Sequence, residues 1–272
     1  MTPGTPALIG LPYDGSSSFL PGAADAPPRI RQALWSPAGN SWTETGVDLG
    51  APGTLHDAGD VRLPAGAEVR AAIESAVAGL LAAGFRPLAL GGDHSVTYPV
   101  LRAVRGAHPR LTILHVDAHA DLYEEFEGDR YSHACPFARI LEEGLCDRLV
   151  QVGIRTLNGH QRAQAERHGV EVIDMPRWAA GERPGVEGPV YLSVDLDGLD
   201  PAFAPGVSHR ELGGLTVREV LTLVQSLPGP LVGTDVVELN PTRDVDGITA
   251  GVAAKLVKEV AGKMVLGRAA KD

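Results

Sequence analysis

Acidic residues, at two points joined by histidine, follow an apolar run at four points of the chain. Leu88-Ala89-Leu90 leads into Gly91-Gly92-Asp93-His94-Ser95, and Thr112–Val116 into Asp117-Ala118-His119-Ala120-Asp121. Val190–Val194 leads into Asp195-Leu196-Asp197-Gly198-Leu199-Asp200-Pro201, and Leu231–Thr234 into Asp235-Val236-Val237-Glu238-Leu239-Asn240-Pro241. In extended chain alternate side chains share a face. Asp117, His119 and Asp121 are therefore expected to converge, as are Asp195 and Asp197. Carboxylates at this density repel one another and take up protons, and cations remove the problem. With His94 the set reaches six oxygen and nitrogen ligands. That is too many for one four-coordinate ion and suits two ions with bridging carboxylates, about 3.5–4 Å apart around an activated water. The donors favour Mn²⁺ over a thiolate-loving metal, with Zn²⁺, Ni²⁺, Co²⁺ and Fe²⁺ left open. A single Asp-x-Asp at a strand end is ordinarily a turn or a helix cap. Recurrence of such groups at strand ends is what points to metal.

The elements that must position these groups follow from hydrophobic pattern. Ala7–Gly10, Pro87–Leu90, Leu111–Val116, Leu149–Val152, Pro189–Val194 and Leu231–Val237 are apolar almost throughout. Runs of this length suit strands buried on both faces, as in parallel sheets. Helical spacing lies between them in Glu68–Ala83, with Val69, Ile73, Val77 and Leu80 at intervals of three and four. Thr216–Ser226 opens with Thr216 and Glu219 in capping-box spacing, and Thr249–Ala261 reads as a last helix. Buried strand alternating with helix is the α/β signature, and ligands of open α/β sheets sit outside the carboxyl ends of the strands. Loops are expected at Ser16–Ala24, Ser36–Asp60, Glu124–Ser132 and Gly181–Pro189. With no internal repeat or linker, one domain spanning 1–272 is expected.

Composition narrows the function. Lys and Arg number 24 against 34 Asp and Glu, a formal charge of −10. Nucleic-acid binding needs clustered basic residues and is not expected, whereas a negative cleft attracts a cationic small molecule. The two cysteines, Cys135 and Cys146, make no disulfide framework. No apolar run is long enough to span a bilayer. No secretory signal is seen at the start of the chain, so a cytoplasmic protein is expected.

The segments Gly91–Ser95, Asp117–Asp121, Ser193–Pro201 and Asp235–Pro241 together resemble the ureohydrolases: arginases, agmatinases, formimidoylglutamases and related guanidino-acid hydrolases. Weaker matches, among them Pro12-Tyr13-Asp14, Tyr131-Ser132-His133 and Val152-Gly153-Ile154-Arg155, extend the likeness over most of the chain. The resemblance implies a three-layer α/β/α fold around a mainly parallel sheet, two Mn²⁺ per subunit and a homotrimer or homohexamer. One ion would lie among His94, Asp117, Asp121 and Asp195, the other among Asp117, His119, Asp195 and Asp197. The reaction implied is attack of activated water on a guanidinium carbon, releasing urea and an amine. Glu238 would hold the guanidinium and His133 would relay a proton to the leaving amine. Asp93, Asp200 and Asp235 would orient the ligands.

For the substrate, arginases share a Ser-Gly-Asn-x-His-Gly segment ahead of the loop histidine. Here Gly128-Asp129-Arg130-Tyr131-Ser132-His133-Ala134 stands instead, closer to agmatinases, as is Ala204-Pro205-Gly206-Val207-Ser208-His209. Agmatine is therefore expected first, with Glu124, Glu125, Glu127 and Asp129 as a negative rim for its far ammonium. A guanidino acid or formimidoylglutamate comes next, with Arg130, Arg155 or Arg210 for its carboxylate, and arginine after these. The different-class alternative is a single-metal amide hydrolase of the deacetylase type.

Overall fold

A computed structural model describes residues 3–269. Eight strands form one sheet in the order β2-β1-β3-β8-β7-β4-β5-β6. They are β1 (Pro6–Leu11), β2 (His56–Asp60), β3 (Arg86–Gly91), β4 (Thr112–Val116), β5 (Arg148–Val152), β6 (Glu171–Ile173), β7 (Val190–Asp195) and β8 (Leu231–Val237). All neighbours pair parallel. The expected α/β/α sandwich is what forms. Each apolar run becomes a central strand because helices cover both its faces.

The helices are α1 (Ala26–Leu34), α2 (Glu68–Ala82), α3 (Thr97–Ala107), α4 (Pro136–Glu142), α5 (Gly159–His168), α6 (Met175–Ala179), α7 (Val217–Ser226) and α8 (Ile248–Ala269). Side chains alternate across the sheet into two cores. Leu88, Leu90, Leu114, Val116, Leu192 and Val194 meet α1, α6, α7 and α8. Ala89, Ile113, Leu149 and Tyr191 meet α2, α3, α4 and α5 on the other face. Thr216 and Glu219 close the expected capping box at the start of α7.

Several elements escape the hydrophobic pattern. The segment 36–60, expected to be all loop, ends in the polar edge strand β2, and β6 adds a second short edge strand. Helices α1, α3, α4, α5 and α6 lie where no helix was expected, and α8 runs past Ala261. Between β3 and β4 the chain leaves one flank of the sheet, and β8 and β7 fill the gap. That reversal opens a crevice at the carboxyl ends of β3, β8, β7 and β4. No helix among the described residues is long and apolar enough to cross a membrane.

Candidate active site

The crevice gathers all six ligand candidates. His94 opens a 3₁₀ turn directly after β3, held by Asp93, whose carboxylate accepts the Ser95 N–H. Gly92 is required here, because a Cβ would come within 1.7 Å of the Tyr13 carbonyl oxygen. The His94 ring is fixed from behind. Its Nε2 lies 2.9 Å from Ser193 Oγ, which donates to Asp235 at 2.7 Å. Tyr191 and Thr97 donate to the other Asp235 oxygen. Ser193 thus accepts from Nε2, and the Nδ1 lone pair faces forward. Nδ1 is buried without a hydrogen-bond partner, 3.1 Å from one oxygen each of Asp117, Asp121 and Asp195.

Those separations fit a shared ion. Divalent first-row ions and Mg²⁺ hold nitrogen and oxygen at about 2.0–2.2 Å, so ligands at right angles stand about 3 Å apart. A second set surrounds His119, whose Nδ1 is 3.1 Å from Asp197 and 3.5 Å from the other Asp117 oxygen. Asp117 therefore faces both sets, one oxygen to each. The carboxylates also crowd one another. Burial, with Asp197 and Asp117 beside it, pushes the Asp195 carboxyl well up. Burial likewise raises Asp197 to about 6, although His119 opposes it.

The residues converge by a route other than strand alternation. Asp121 lies beyond β4 with a left-handed backbone, φ 52°, which turns its carboxylate back into the crevice. Asp197 sits in the 3₁₀ turn Leu196–Gly198, where its N–H donates to Asp195. Both were expected to follow from an extended chain, and neither does.

Glu238 and His133 form the opposite wall. Glu238 follows β8 with φ 65°, and its Oε1 takes the His94 N–H and faces His133 Nδ1, each at 2.9 Å. Ser18 Oγ lies 2.8 Å from His133 Nε2. Burial works against charge on His133, but Glu238 overrides it and holds the ring up to about 9. Glu238 answers in kind: burial would raise it, and His133 brings it below the usual carboxylate range.

Asp93, Asp200 and Asp235 divide in their roles. Asp235 supports His94 as described. Asp93 accepts from the Ser16 and Ser95 N–H groups and ties two loops together. Burial and the Glu238 charge raise it to about 7. Asp200 braces the turn at Gly213 and Gly214.

A cavity of about 230 Å³ opens in front of these groups. Beyond the ligands its wall carries Tyr123, Phe126, Thr156, Gln161, His209 and Glu211. Here the expected rim is corrected. Glu124, Glu125, Glu127 and Asp129 do not line the cavity; Glu124 pairs outward with Arg167. Arg130, Arg155 and Arg210 do not line it either. Arg130 pairs with Glu142, Arg155 spends its guanidinium on backbone carbonyls including Asp197 and Glu211, and Arg210 does the same at Pro205. The carboxylate on the wall is Glu211, 3.8 Å from His119 Nε2. Gln161, His209 and Glu211 were missed by sequence reasoning, as was His115, whose Nε2 lies 2.7 Å from Asp117. A polar residue interrupting the apolar run Thr112–Val116 was the available signal for His115.

Comparison with known proteins bears on what this crevice does. A profile of the arginase family matches residues 5–262. The chain is 50% identical to mitochondrial arginase 1 of Arabidopsis thaliana, over 95% of this chain and 80% of that one. It is 36% identical to mitochondrial agmatinase of Gallus gallus, over 93% and 79%. The structure of an arginase from Medicago truncatula superposes with a TM-score of 0.90 at 48% identity, covering 96% of this chain and 87% of that one.

Proposed function

The chain belongs to the arginase family of guanidino hydrolases, and from that premise we propose that it hydrolyses L-arginine to ornithine and urea at a pair of Mn²⁺ ions. The observation that carries the choice of substrate is the 50% identity to an arginase along nearly the whole chain, against 36% to an agmatinase. It reverses the order expected from the loop before His133. The cavity wall supports the same choice. Among the described residues no Arg or Lys lines it, so a lone carboxylate at the far end of a guanidino acid finds no cation. An amino-acid end is better served. Glu211 offers a negative charge to the ammonium, and the neutral Gln161 amide and His209 imidazole offer donors to the carboxylate.

His94, Asp117, Asp121 and Asp195 would hold one ion and Asp117, His119, Asp195 and Asp197 the other. The second set, around His119 and Asp197, supports two ions over the single-metal alternative. When bound, such a pair supplies water acidic enough to attack at neutral pH. The remaining work falls to the chain. Glu238 accepts two parallel charge-assisted hydrogen bonds from the guanidinium and so turns its carbon toward the ligand clusters. A substrate cation on Glu238 competes with His133 for that carboxylate and weakens its hold on the ring proton. His133 then hands the proton to the leaving nitrogen, the role imidazole suits near neutral pH.

The test is urea release by Mn²⁺-loaded protein from L-arginine and from agmatine, with a chelated control. Arginine turnover of about 1 s⁻¹ or faster is expected, as is ordinary for an enzyme, with agmatine at least tenfold poorer in kcat/KM. Faster release from agmatine would sink the arginine assignment and leave the guanidino chemistry standing.

A further inference from the structure

Across the middle of the sheet, β5, β4, β7 and β8 carry Gln151, His115, Ser193 and Asp235 in register. They make a buried polar file through otherwise apolar strands. Ser193 and Asp235 serve His94. Proton accounting gives Gln151 and His115 a task of their own. A carboxamide has two N–H hydrogens on one side and only acceptor capacity on the other. Gln151 Nε2 lies 2.7 Å from the Ala120 carbonyl oxygen and 3.0 Å from His115 Nδ1. Turning the amide over would set oxygen against oxygen, so Ala120 fixes which end faces in. Both hydrogens are then used, and Nδ1 must accept. Neutral His115 therefore carries its proton on Nε2, 2.7 Å from Asp117 Oδ2. Both ring nitrogens are occupied, so His115 is no ligand itself. The arrangement leaves Gln151 Oε1 buried and unpaired, a state native structures rarely tolerate without a reason.

We propose that Gln151 and His115 are positioning residues of the metal centre: the amide fixes the ring tautomer, and the ring N–H pins Asp117 so that it offers one oxygen to each ligand cluster. This rests on the two-ion reading above. The partner distances agree, with Asp117 Oδ2 toward His94 and Oδ1 toward His119.

Mn²⁺ affinity of the full chain, measured by chelator competition, tests it without reference to turnover. His115→Phe removes the donor and keeps a ring to stack on Phe137, 3.9 Å away. It is expected to weaken Mn²⁺ binding about 10–100-fold, the usual effect of losing such a partner. His115→Gln restores an N–H near the same point and is expected to recover most of the loss. Gln151→Leu weakens binding in the parent and adds nothing in His115→Phe, because links of one chain are not additive. Parent-like affinity in folded His115→Phe, or an equal loss from Gln151→Leu in both backgrounds, overturns the proposal. Should His115→Phe fail to fold by circular dichroism, Gln151→Leu alone decides, and unchanged affinity there overturns it. A parent protein that binds no Mn²⁺ would instead overturn the two-ion reading itself.

Discussion

On the sheet side of the crevice, the groups that face the ligand clusters hang from strand ends and tight turns braced from behind: His94 by Ser193 and Asp235, Asp197 by Asp195. On the far side the groups are Tyr123, Phe126, Thr156, Gln161, His209 and Glu211, drawn mostly from connecting segments. Charge that must stand ready before a reaction has to be held in place in advance, and the bracing behind the strand ends supplies this. Recognition of a substrate's tail tolerates looser groups, which connecting segments vary freely. Damage to the sheet side should therefore abolish chemistry, and damage to the far side should only shift preference.

The largest effect expected is from Asp121→Ala. It strips an oxygen from the His94 cluster and should lower turnover roughly a thousandfold or more, with one ion lost by elemental analysis and the fold intact. Full metal content and activity would remove Asp121 from the ligand set. Glu238→Gln comes next. On the proposed reading it should leave metal content unchanged and exchange a charged bidentate contact for a neutral one, at about 1.5–3 kcal/mol. That corresponds to roughly 10–100-fold in kcat/KM for arginine, read by steady-state kinetics.

The third prediction concerns pH. Burial alone would lower His133; Glu238 raises it to about 9, above the ordinary value of about 6.5. A folded-state pKa above the unfolded one means the pair's stabilisation is whole below about pH 6.5 and is lost as pH rises through about 9. Relative to the parent, His133→Asn should be destabilised by about 3 kcal/mol near pH 6, with the gap narrowing from about pH 6.5 upward and mostly closed by about pH 9. Denaturant melts at both pH values measure it, and a gap independent of pH would separate His133 from Glu238. The smallest effect is expected on the far side. Glu211 is about half-exposed, and Glu211→Gln should raise KM for arginine by tenfold or less with kcat nearly kept. A collapse of kcat would erase the distinction between the two sides.

The same contrast governs what could be read from the sequence. Each ligand candidate follows a run apolar enough to mark a buried strand, so contiguous residues announce both the element and its cargo. The far wall has no such marker: Gln161 lies on a polar helix and His209 and Glu211 on a turn-rich segment, brought together by the topology alone. Edge strands escaped for a related reason. His56–Asp60 has no buried face to fill and so shows no apolar pattern. The acidic loop at Glu124–Asp129 misled because charge in sequence says nothing of direction. Arg167 and Glu142 sit outside the crevice and draw their partners there.

Two of the carboxylates in the crevice, Asp121 and Glu238, stand on left-handed backbone at φ 52° and 65°. Outside glycine such a conformation costs about 1–2 kcal/mol per residue, and the surrounding fold must carry that cost. Selection for a sturdy chain and selection for turnover thus pull opposite ways at these positions. In a lineage released from the need to hydrolyse anything, glycine at 121 or 238 would be the comfortable drift. A relative bearing it would keep this architecture long after its chemistry had gone.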